Sequence, residues 1–366
     1  MRYLIVLLLL CSLSSADERA DQTFRQWDRN KDGKLSRSEL PRFAQANFER
    51  VDSDKDGFIS LAEHRAFLNR PRQQNRPGAS ERIQIHSDLR YAKTENARQT
   101  LDLYLPRKRA AETRLPLIVW IHGGGWRAGD KRSGLNRLRR FVQSGRYFGA
   151  SIGYRLSSEA KWPAQIHDCK AAIRWLRANA DTYKYDASRI CVFGSSAGGH
   201  LVAMLGVTGD VASLEGSLGD HTDQSSRVAA VIDFFGPTSF LTMNDFPSTI
   251  DHDALDSPES QLIGKPIQSA PELCANASPI HWASKGDTPF LLMHGTADRL
   301  VAFDQSVQLD RRLTQVGVPT WLVPVRDGGH GFGGAQVDAR VDAFLEKIIQ
   351  DRADVEVDET AVQSGR

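Results

Sequence analysis

Cysteine is scarce in this sequence, with four residues in 366. Cys11 falls in an N-terminal apolar segment, which leaves Cys169, Cys191 and Cys274. Because three is an odd number, at least one of these thiols must stay unpaired or join another chain. We predict no disulfide framework, which excludes the small disulfide-stapled domains found among secreted proteins.

An excess of charge is also lacking. Lys and Arg number 47 against 45 Asp and Glu, so the formal net charge is only +2. General electrostatic binding to nucleic acid or to anionic membranes requires a marked basic excess. We therefore predict no nucleic-acid partner and no membrane partner. The hydrophobic share of 40% instead fits a globular chain with a sizeable core.

The first residues have the pattern of a secretory signal peptide. Arg2 precedes an unbroken apolar run over residues 4–10, and small residues occupy positions 14–16. The run is far shorter than the roughly 20 residues that span a bilayer, which disfavours an uncleaved anchor. A lipoprotein signal ending at Cys11 is an alternative that Leu10 fits badly. We predict a signal peptide over residues 1–16 and export to the periplasm or the medium.

Composition divides the rest of the chain into four parts. Residues 17–69 are charged and hold two acidic loops, and residues 70–80 are polar and Pro-rich, as linkers are. Residues 81–350 alternate strand and helix patterns, whereas residues 351–366 are acidic and polar. We predict a small all-α module, a linker, one large domain and a flexible tail.

The large domain has the pattern of an α/β fold with a mostly parallel, doubly wound sheet. Six apolar runs are the predicted strands: residues 117–121, 148–153, 190–193, 228–234, 290–294 and 321–325. Helical periodicity is clearest over residues 163–180 and 197–205. The segment 238–279 has weak periodicity and is a candidate cap over an active site.

A Gly-Ser-Ser-Ala-Gly motif at residues 194–198 follows one of these strands and opens a helix. In this context the motif predicts a nucleophile elbow, because a turn this tight has no room for side chains at its two glycines. Ser196 is then the candidate nucleophile, and it needs a neighbouring base to remove its proton. An incidental Gly/Ser turn is the alternative for the bare motif.

The remaining catalytic groups follow in the required order. Asp298 comes after the strand at residues 290–294, and His330 comes after the strand at residues 321–325. His330 is the candidate base, and Asp298 is the acid that orients it. Asp304 and Asp327 are alternative acids. His281 and His294 are alternative bases, but only His330 has flanking glycines that let its loop approach the elbow.

A third signal is the sequence His-Gly-Gly-Gly-Trp at residues 122–126, directly after a strand. Bare glycines let backbone N–H groups converge on one point, which predicts an oxyanion hole. We assign its donors to Gly124 and Ala197, with Gly123 and Gly125 as further candidates. A phosphate-binding loop is the rival interpretation, but the lysine of a P-loop is missing.

At these residues the chain resembles the feruloyl-esterase-like, hormone-sensitive-lipase-related branch of the α/β-hydrolases. The matching segments are residues 122–126, 129–131, 153–157, 163–166, 194–199 and 294–298. The resemblance covers roughly residues 101–349 and implies the α/β-hydrolase fold. It also implies hydrolysis of small-molecule or polysaccharide carboxylic esters, often acetyl or feruloyl esters, without a cofactor for the ester chemistry.

Two twelve-residue segments, 28–39 and 52–63, match the calcium loop of an EF-hand. The predicted ligands are Asp28, Asn30, Asp32, Lys34, Ser36 and Glu39 in the first loop and Asp52, Asp54, Asp56, Phe58, Ser60 and Glu63 in the second. Leu35 and Ile59 stand where paired loops exchange backbone hydrogen bonds. Four carboxylates in the second loop against three in the first predict tighter Ca²⁺ binding at the second. Solvated acidic turns are the alternative, which two tandem matches disfavour.

These features favour an exported serine carboxylesterase with a separate calcium module. One alternative is a serine peptidase with the same triad. Another is a calcium-dependent binding protein whose hydrolase fold is inert. The complete set of nucleophile, acid, base and glycine-rich loop argues against an inert fold.

Overall fold

The computed structural model describes residues 16–45, 48–69, 82–108, 114–209 and 211–365. The predicted signal peptide and linker lie outside these residues, apart from Ala16, where the first helix begins. The chain divides into two compact units, residues 1–80 and residues 81–366. No helix among the described residues combines the length and the apolar character needed to cross a membrane.

The N-terminal unit is small and mostly helical. Its elements are α1 (Ala16–Trp27), β1 (Lys34–Leu35), α2 (Arg42–Gln45), α3 (Phe48–Val51), β2 (Ile59–Ser60) and α4 (Leu61–Asn69). β1 and β2 pair antiparallel and place Leu35 opposite Ile59, which confirms the predicted pairing of the loops. The core of the unit consists of Phe24, Leu35, Leu40, Phe48, Val51 and Ile59. Two acidic loops are thus joined over one small apolar cluster.

The C-terminal unit is built on a nine-stranded sheet. Its strands are β3 (Ile83–Arg90), β4 (Thr100–Pro106), β5 (Leu115–Ile121), β6 (Phe148–Ile152), β7 (Tyr185–Ser195), β8 (Ala230–Phe234), β9 (Phe290–Gly295), β10 (Thr320–Arg326) and β11 (Val362–Gln363). Their order across the sheet is β11-β10-β9-β8-β7-β5-β6-β4-β3. Only β4 runs antiparallel to its neighbours, so the sheet is mostly parallel, as predicted.

Helices cover both faces of this sheet. They are α5 (Gly134–Gln143), α6 (Ala164–Ala178), α7 (Ala180–Tyr183), α8 (Ala197–Val207), α9 (Pro258–Ile263), α10 (Pro271–Asn276), α11 (Pro279–Trp282), α12 (Asp304–Gln315) and α13 (Ala335–Phe344). Along β5, Leu117 and Val119 face the core shared with α6 and α8, whereas Ile118 and Trp120 face the core shared with α5 and α13. This alternation confirms the doubly wound architecture.

The prediction of a flexible tail over residues 351–366 is wrong for the described residues 351–365. β11 pairs in parallel with β10, and Val357 and Val362 are buried. The carboxylate of Glu359 also accepts a hydrogen bond of 3.1 Å from the backbone N–H of Leu322. Edge pairing and apolar burial therefore hold a segment that its acidic composition marks as mobile.

Candidate active site

Ser196 lies in a sharp turn between β7 and α8. Its backbone has φ 57° and ψ −125°, a combination that a residue other than glycine adopts only under constraint. The turn packs so closely that a Cβ atom on Gly198 would lie 2.1 Å from the carbonyl oxygen of Ile121. This geometry presents the Ser196 side chain at the carboxyl end of the central strand, as in a nucleophile elbow.

Three side chains from separate loops form one hydrogen-bonded relay. Nε2 of His330 lies 2.8 Å from Oγ of Ser196, and Nδ1 of His330 lies 2.7 Å from Oδ2 of Asp298. Parallel β9 and β10 bring the two later loops to the same edge of the sheet as Ser196. Within the described chain, neither Asp304 nor Asp327 makes a hydrogen bond to His330. The structure therefore joins the three residues that the sequence selects.

The surroundings of Asp298 keep its carboxyl group ionised. Its Oδ1 accepts hydrogen bonds from the backbone N–H groups of Leu300, at 2.8 Å, and Val301, at 3.1 Å. Nε2 of His294 lies 3.3 Å from Oδ2. Burial raises the pKa of Asp298, but hydrogen bonds from His294 and His330 and the charge of His330 outweigh it and hold the pKa well below its usual value.

The alternative histidines do not reach the nucleophile. His294 is buried within β9, and its two ring nitrogens bond to Ser306 Oγ at 2.8 Å and to Val301 O at 2.9 Å. It contacts Oδ2 of Asp298, the same oxygen that bonds to His330. His281 lies on α11 and is not among the residues that line the cavity around Ser196.

The glycine loop after β5 lies beside the nucleophile. A Cβ atom on Gly123 would lie 2.6 Å from the carbonyl oxygen of Ser195, so only glycine fits here without a shift of the backbone. Gly124 and Gly125 line the same cavity, as does Ala197 at the start of α8. Within the described residues, the backbone N–H groups of Gly124 and Ala197 donate to no protein acceptor. They are therefore available to an oxygen atom of a substrate.

His122, the histidine of the His-Gly-Gly-Gly-Trp motif, supports this loop. Its ring stacks on Tyr154 with the centroids 4.3 Å apart, and its Nδ1 lies 2.8 Å from the carbonyl oxygen of Gly123. The Tyr154 hydroxyl donates to the carbonyl oxygen of His122 at 2.9 Å. Burial lowers the pKa of His122 to about 4, so the ring is neutral at ordinary pH.

A cavity of about 400 Å³ opens over Ser196. Residues that line it beyond the predicted set include Trp126, Arg127, Arg137, Phe235, Ile250, His252, Pro258, Glu259 and Leu300. Because four of these belong to segment 238–279, that segment forms one wall of the cavity. Sequence analysis missed His252 and Glu259 because they occur in a stretch without helix or strand periodicity, where no spacing rule marks them.

The acidic loops of the N-terminal unit fit a hard cation. Carboxylate oxygens of Asp52, Asp54 and Glu63 lie within 4.8 Å of one another. At the first position of each loop, Oδ1 of Asp28 and Oδ1 of Asp52 are buried without a hydrogen-bond partner. Buried carboxylate oxygens of this kind are costly unless a cation compensates them, and oxygen ligands are those that Ca²⁺ prefers.

The closing glutamates are held in the same way in both loops. Glu39 Oε2 accepts from the Ser36 backbone and hydroxyl, and Glu63 Oε2 accepts from the Ser60 backbone and hydroxyl. The hydrogen bonds from Ser36 lower the pKa of Glu39. Burial raises the pKa of Glu63, but hydrogen bonds from Ser60 and Ser53 outweigh it and lower the pKa to about 2. Both side chains are therefore ionised and aimed into their loops.

The fifth position differs between the loops. In the first loop, the amide of Asn30 donates to Oδ2 of Asp32 at 2.9 Å, so two predicted ligands contact each other. In the second, Oδ2 of Asp56 lies 3.2 Å from the ammonium of Lys34, and Oδ1 accepts from the backbone N–H of Phe58 at 2.8 Å. Asp56 thus stands outside the carboxylate cluster of its loop.

Protein-family models match both units. The BD-FAE model matches residues 101–313, which are more than half of the chain. The EF hand model matches residues 20–44 and 45–68. The first match includes the glycine loop, Ser196 and Asp298, and the second includes both acidic loops.

Comparison with individual proteins agrees with these matches. Esterase LipC of Mycobacterium tuberculosis is 31% identical over 70% of this chain, which spans 64% of the LipC sequence. A truncated carbohydrate esterase from gut microbiota is 33% identical, with a TM-score of 0.68 over 73% of this chain and 96% of that one. The propionate-bound esterase Est2 of Thermogutta terrifontis is 27% identical, with a TM-score of 0.58 over 74% of this chain and 96% of that one.

Proposed function

The chain belongs to the BD-FAE family of feruloyl-esterase-like α/β-hydrolases, and from this premise we infer that it is a serine carboxylesterase. The proposed catalytic triad is Ser196, His330 and Asp298. The observation that carries the proposal is the continuous relay of 2.8 Å and 2.7 Å contacts from Ser196 through His330 to Asp298, beside unpaired backbone N–H groups.

The proposed reaction begins when Oγ of Ser196 attacks the ester carbonyl carbon while Nε2 of His330 takes the hydroxyl proton. The carbonyl oxygen gains negative charge and accepts hydrogen bonds from N–H groups of the glycine loop and of Ala197. Collapse of this intermediate expels the alcohol, which takes the proton from His330, and leaves the acyl group on Ser196. Water then attacks the acyl group as His330 accepts its proton, and the acid departs as the proton returns to Ser196.

Asp298 has a positioning role in this scheme. It accepts a hydrogen bond from the Nδ1–H group of His330, which fixes the tautomer that leaves Nε2 free to act as a base. Its lowered pKa keeps the carboxylate charged, so it stabilises the imidazolium that forms in each half of the reaction. No metal or cofactor is needed for these steps.

Replacement of Ser196 by Ala tests the assignment. We expect hydrolysis of p-nitrophenyl acetate to fall to the residual level that the oxyanion hole and substrate binding alone provide, by a factor of about 10⁴ or more. Labelling of the wild-type protein by a fluorophosphonate, and its loss in the variant, identifies the nucleophile directly. Full activity of the Ser196→Ala protein would reject the triad.

Carbohydrate esters are the proposed substrates. The family relationship and the carbohydrate esterase similar in structure support acetyl or feruloyl esters of polysaccharides. A panel of acetyl, butyryl and feruloyl esters, with a peptide series beside it, measures the preference. Peptides cleaved as fast as acetyl esters would favour the peptidase alternative.

We further propose that the N-terminal unit binds Ca²⁺ and that the protein is exported. The buried, unpartnered oxygens of Asp28 and Asp52 support calcium binding, and the apolar N-terminal sequence supports export. Calorimetric titration with Ca²⁺, and activity assays with calcium and with chelator, test the first proposal. N-terminal sequencing of protein recovered outside the cytoplasm tests the second.

A further inference from the structure

Two buried ionisable side chains in the cavity wall have no part in the proposed triad. His252 and Glu259 are only 1% and 3% exposed, yet both line the cavity that holds Ser196. A carboxylate is seldom buried so deeply without compensation, because removing its charge from water is costly. Because Glu259 lines the cavity around Ser196 rather than the core, a role in substrate binding would explain its burial.

Hydrogen bonds fix the orientation of this pair. Nδ1 of His252 lies 2.9 Å from Oε2 of Glu259, and Nε2 of His252 lies 3.2 Å from Oγ of Ser248. The backbone N–H of His252 donates to the side-chain oxygen of Asn244 at 2.9 Å. The ring is therefore held at both nitrogens and the backbone at one further point, which fixes the direction of the glutamate carboxylate.

Glu259 has acceptor capacity that the protein does not use. An ionised carboxylate has about four lone-pair sites and no donor. Within the described residues, His252 is the only side chain that donates to it. Its other oxygen, in a residue that lines the cavity, is thus available to a hydrogen-bond donor of a bound molecule. Hydroxyl groups meet this requirement, whereas aryl and alkyl groups do not.

We propose that Glu259, oriented by His252, accepts hydrogen bonds from hydroxyl groups of the substrate and thereby selects sugar esters over aryl and alkyl esters. This inference rests on the proposed esterase function and adds a specificity-determining residue to it. Hydrogen bonds to a fixed carboxylate discriminate strongly, because a substrate without hydroxyl groups leaves the second oxygen of Glu259 without a hydrogen-bond partner.

A matched pair of substrates tests the proposal. One is a methyl xyloside with a single acetyl ester and free hydroxyl groups, and the other is the same ester with those hydroxyl groups methylated. We expect Glu259→Gln to lower kcat/KM for the hydroxyl-bearing ester by about 10-fold to 100-fold more than for the methylated ester. The variant keeps the shape and a hydrogen bond to His252 but loses the charge.

Glu272→Gln is the control, because Glu272 is an exposed glutamate of the same segment that does not line the cavity. We expect it to leave the ratio between the two substrates unchanged. Equal losses on both substrates in Glu259→Gln would mean that Glu259 only anchors the wall, which overturns the proposal. A wild-type protein that does not distinguish the two esters would also overturn it.

A binding measurement separates this inference from the esterase function. In the Ser196→Ala protein, calorimetry should show tighter binding of the hydroxyl-bearing ester, and Glu259→Gln in the same background should abolish the difference. A protein that hydrolyses no ester but shows this binding difference would refute the triad and retain the Glu259 site. Equal binding of both esters, in a protein that hydrolyses them, would refute only the Glu259 site.

Discussion

The two units of this protein treat acidic side chains in opposite ways. The N-terminal unit gathers carboxylates around unpartnered oxygens of Asp28 and Asp52, and six of its described side chains form its core. In the C-terminal unit, the buried Asp168 accepts from Arg155 at 2.9 Å and from Gln99 at 2.8 Å. In the first unit the proposed Ca²⁺ would balance these charges, whereas in the second Asp168 is paired with side chains of the protein itself.

The two units therefore differ in whether their proposed functional site is complete without a bound ion. The large unit, with cores on both faces of its sheet, has its catalytic relay assembled from its own residues. The small unit, under the proposed calcium binding, would have the charges of Asp52, Asp54 and Glu63 neutralised by Ca²⁺. Changes in one unit should therefore leave the measured property of the other unaltered.

The strongest test of that independence is Asp298→Asn. The amide fills the same space but no longer imposes the required tautomer on His330, so we expect kcat to fall by about 10³-fold to 10⁴-fold. Calcium affinity, measured by calorimetry, should not change. Asp304→Asn, at the start of α12, is the control. A comparable fall in kcat for Asp304→Asn would indicate that Asp304, not Asp298, is the acid of the triad.

The pH profile of the wild-type protein tests the same residue. Because the pKa of Asp298 is lowered, its carboxylate remains ionised as the pH falls, and the acid side of the kcat/KM profile should require the uptake of no more than one proton. A steeper decline that requires two protons would contradict the ionised state of Asp298.

A smaller effect is expected from Gly123→Ala. The new methyl group would lie 2.6 Å from the carbonyl oxygen of Ser195, so the glycine loop must move away from the nucleophile. We expect kcat to fall by roughly 10²-fold to 10³-fold, the loss typical of a displaced oxyanion donor. Gly333→Ala is the control, because its methyl group meets nothing within 4 Å. Similar losses in both variants would argue against a special role for residue 123.

Glu63→Gln addresses the calcium unit. Its carboxylate belongs to the cluster with Asp52 and Asp54, so its neutral variant should weaken the tighter calcium site by at least ~10-fold, or about 1.4 kcal/mol. Glu39→Gln should weaken the other site. Calorimetry distinguishes the two, and p-nitrophenyl acetate hydrolysis should be unchanged in both variants. If Glu63→Gln weakened the site of lower affinity and Glu39→Gln the site of higher affinity, the predicted order of affinities would be wrong.

The smallest effect concerns Asp233, the exception among the buried acids of the large unit. Burial raises its pKa from 3.8 to about 7, against a hydrogen bond from the backbone N–H of Gly236. Between these values the folded chain binds more protons than the unfolded chain, so the free energy of unfolding should fall as the pH rises from about 4 to 7. Asp233→Asn should reduce this fall. Urea unfolding at pH 5 and pH 8 measures it, and equal pH dependence in both proteins would contradict the assignment.

Much of the large unit is predictable because its proposed catalytic residues obey a simple topological rule. Ser196, Asp298 and His330 each follow a parallel strand, and the carboxyl ends of parallel strands meet at one edge. The acidic loops are predictable for another reason, since their ligands are close together in the chain. The order of strands is sufficient for the first set of residues, and local spacing is sufficient for the second.

Other elements depend on partners that the sequence does not place together. β4 is buried throughout and contains Asp102, whose charge is paired with Lys131 on a later helical turn. β11 has only two residues and is stable because β10 lies beside it. His252 and Glu259 are brought into contact by the course of an irregular segment of the chain. No helix or strand periodicity in the sequence therefore marks either residue.

The C-terminal segment that contains β11 also contacts the loop that carries His330. The backbone N–H of Gly365 donates to the carbonyl oxygen of Gly333 at 2.8 Å, three residues beyond His330. The segment after β11 thus stabilises the loop that carries His330, the proposed proton acceptor. The position of His330, the proposed base, therefore depends in part on residues that have no role in the proposed reaction.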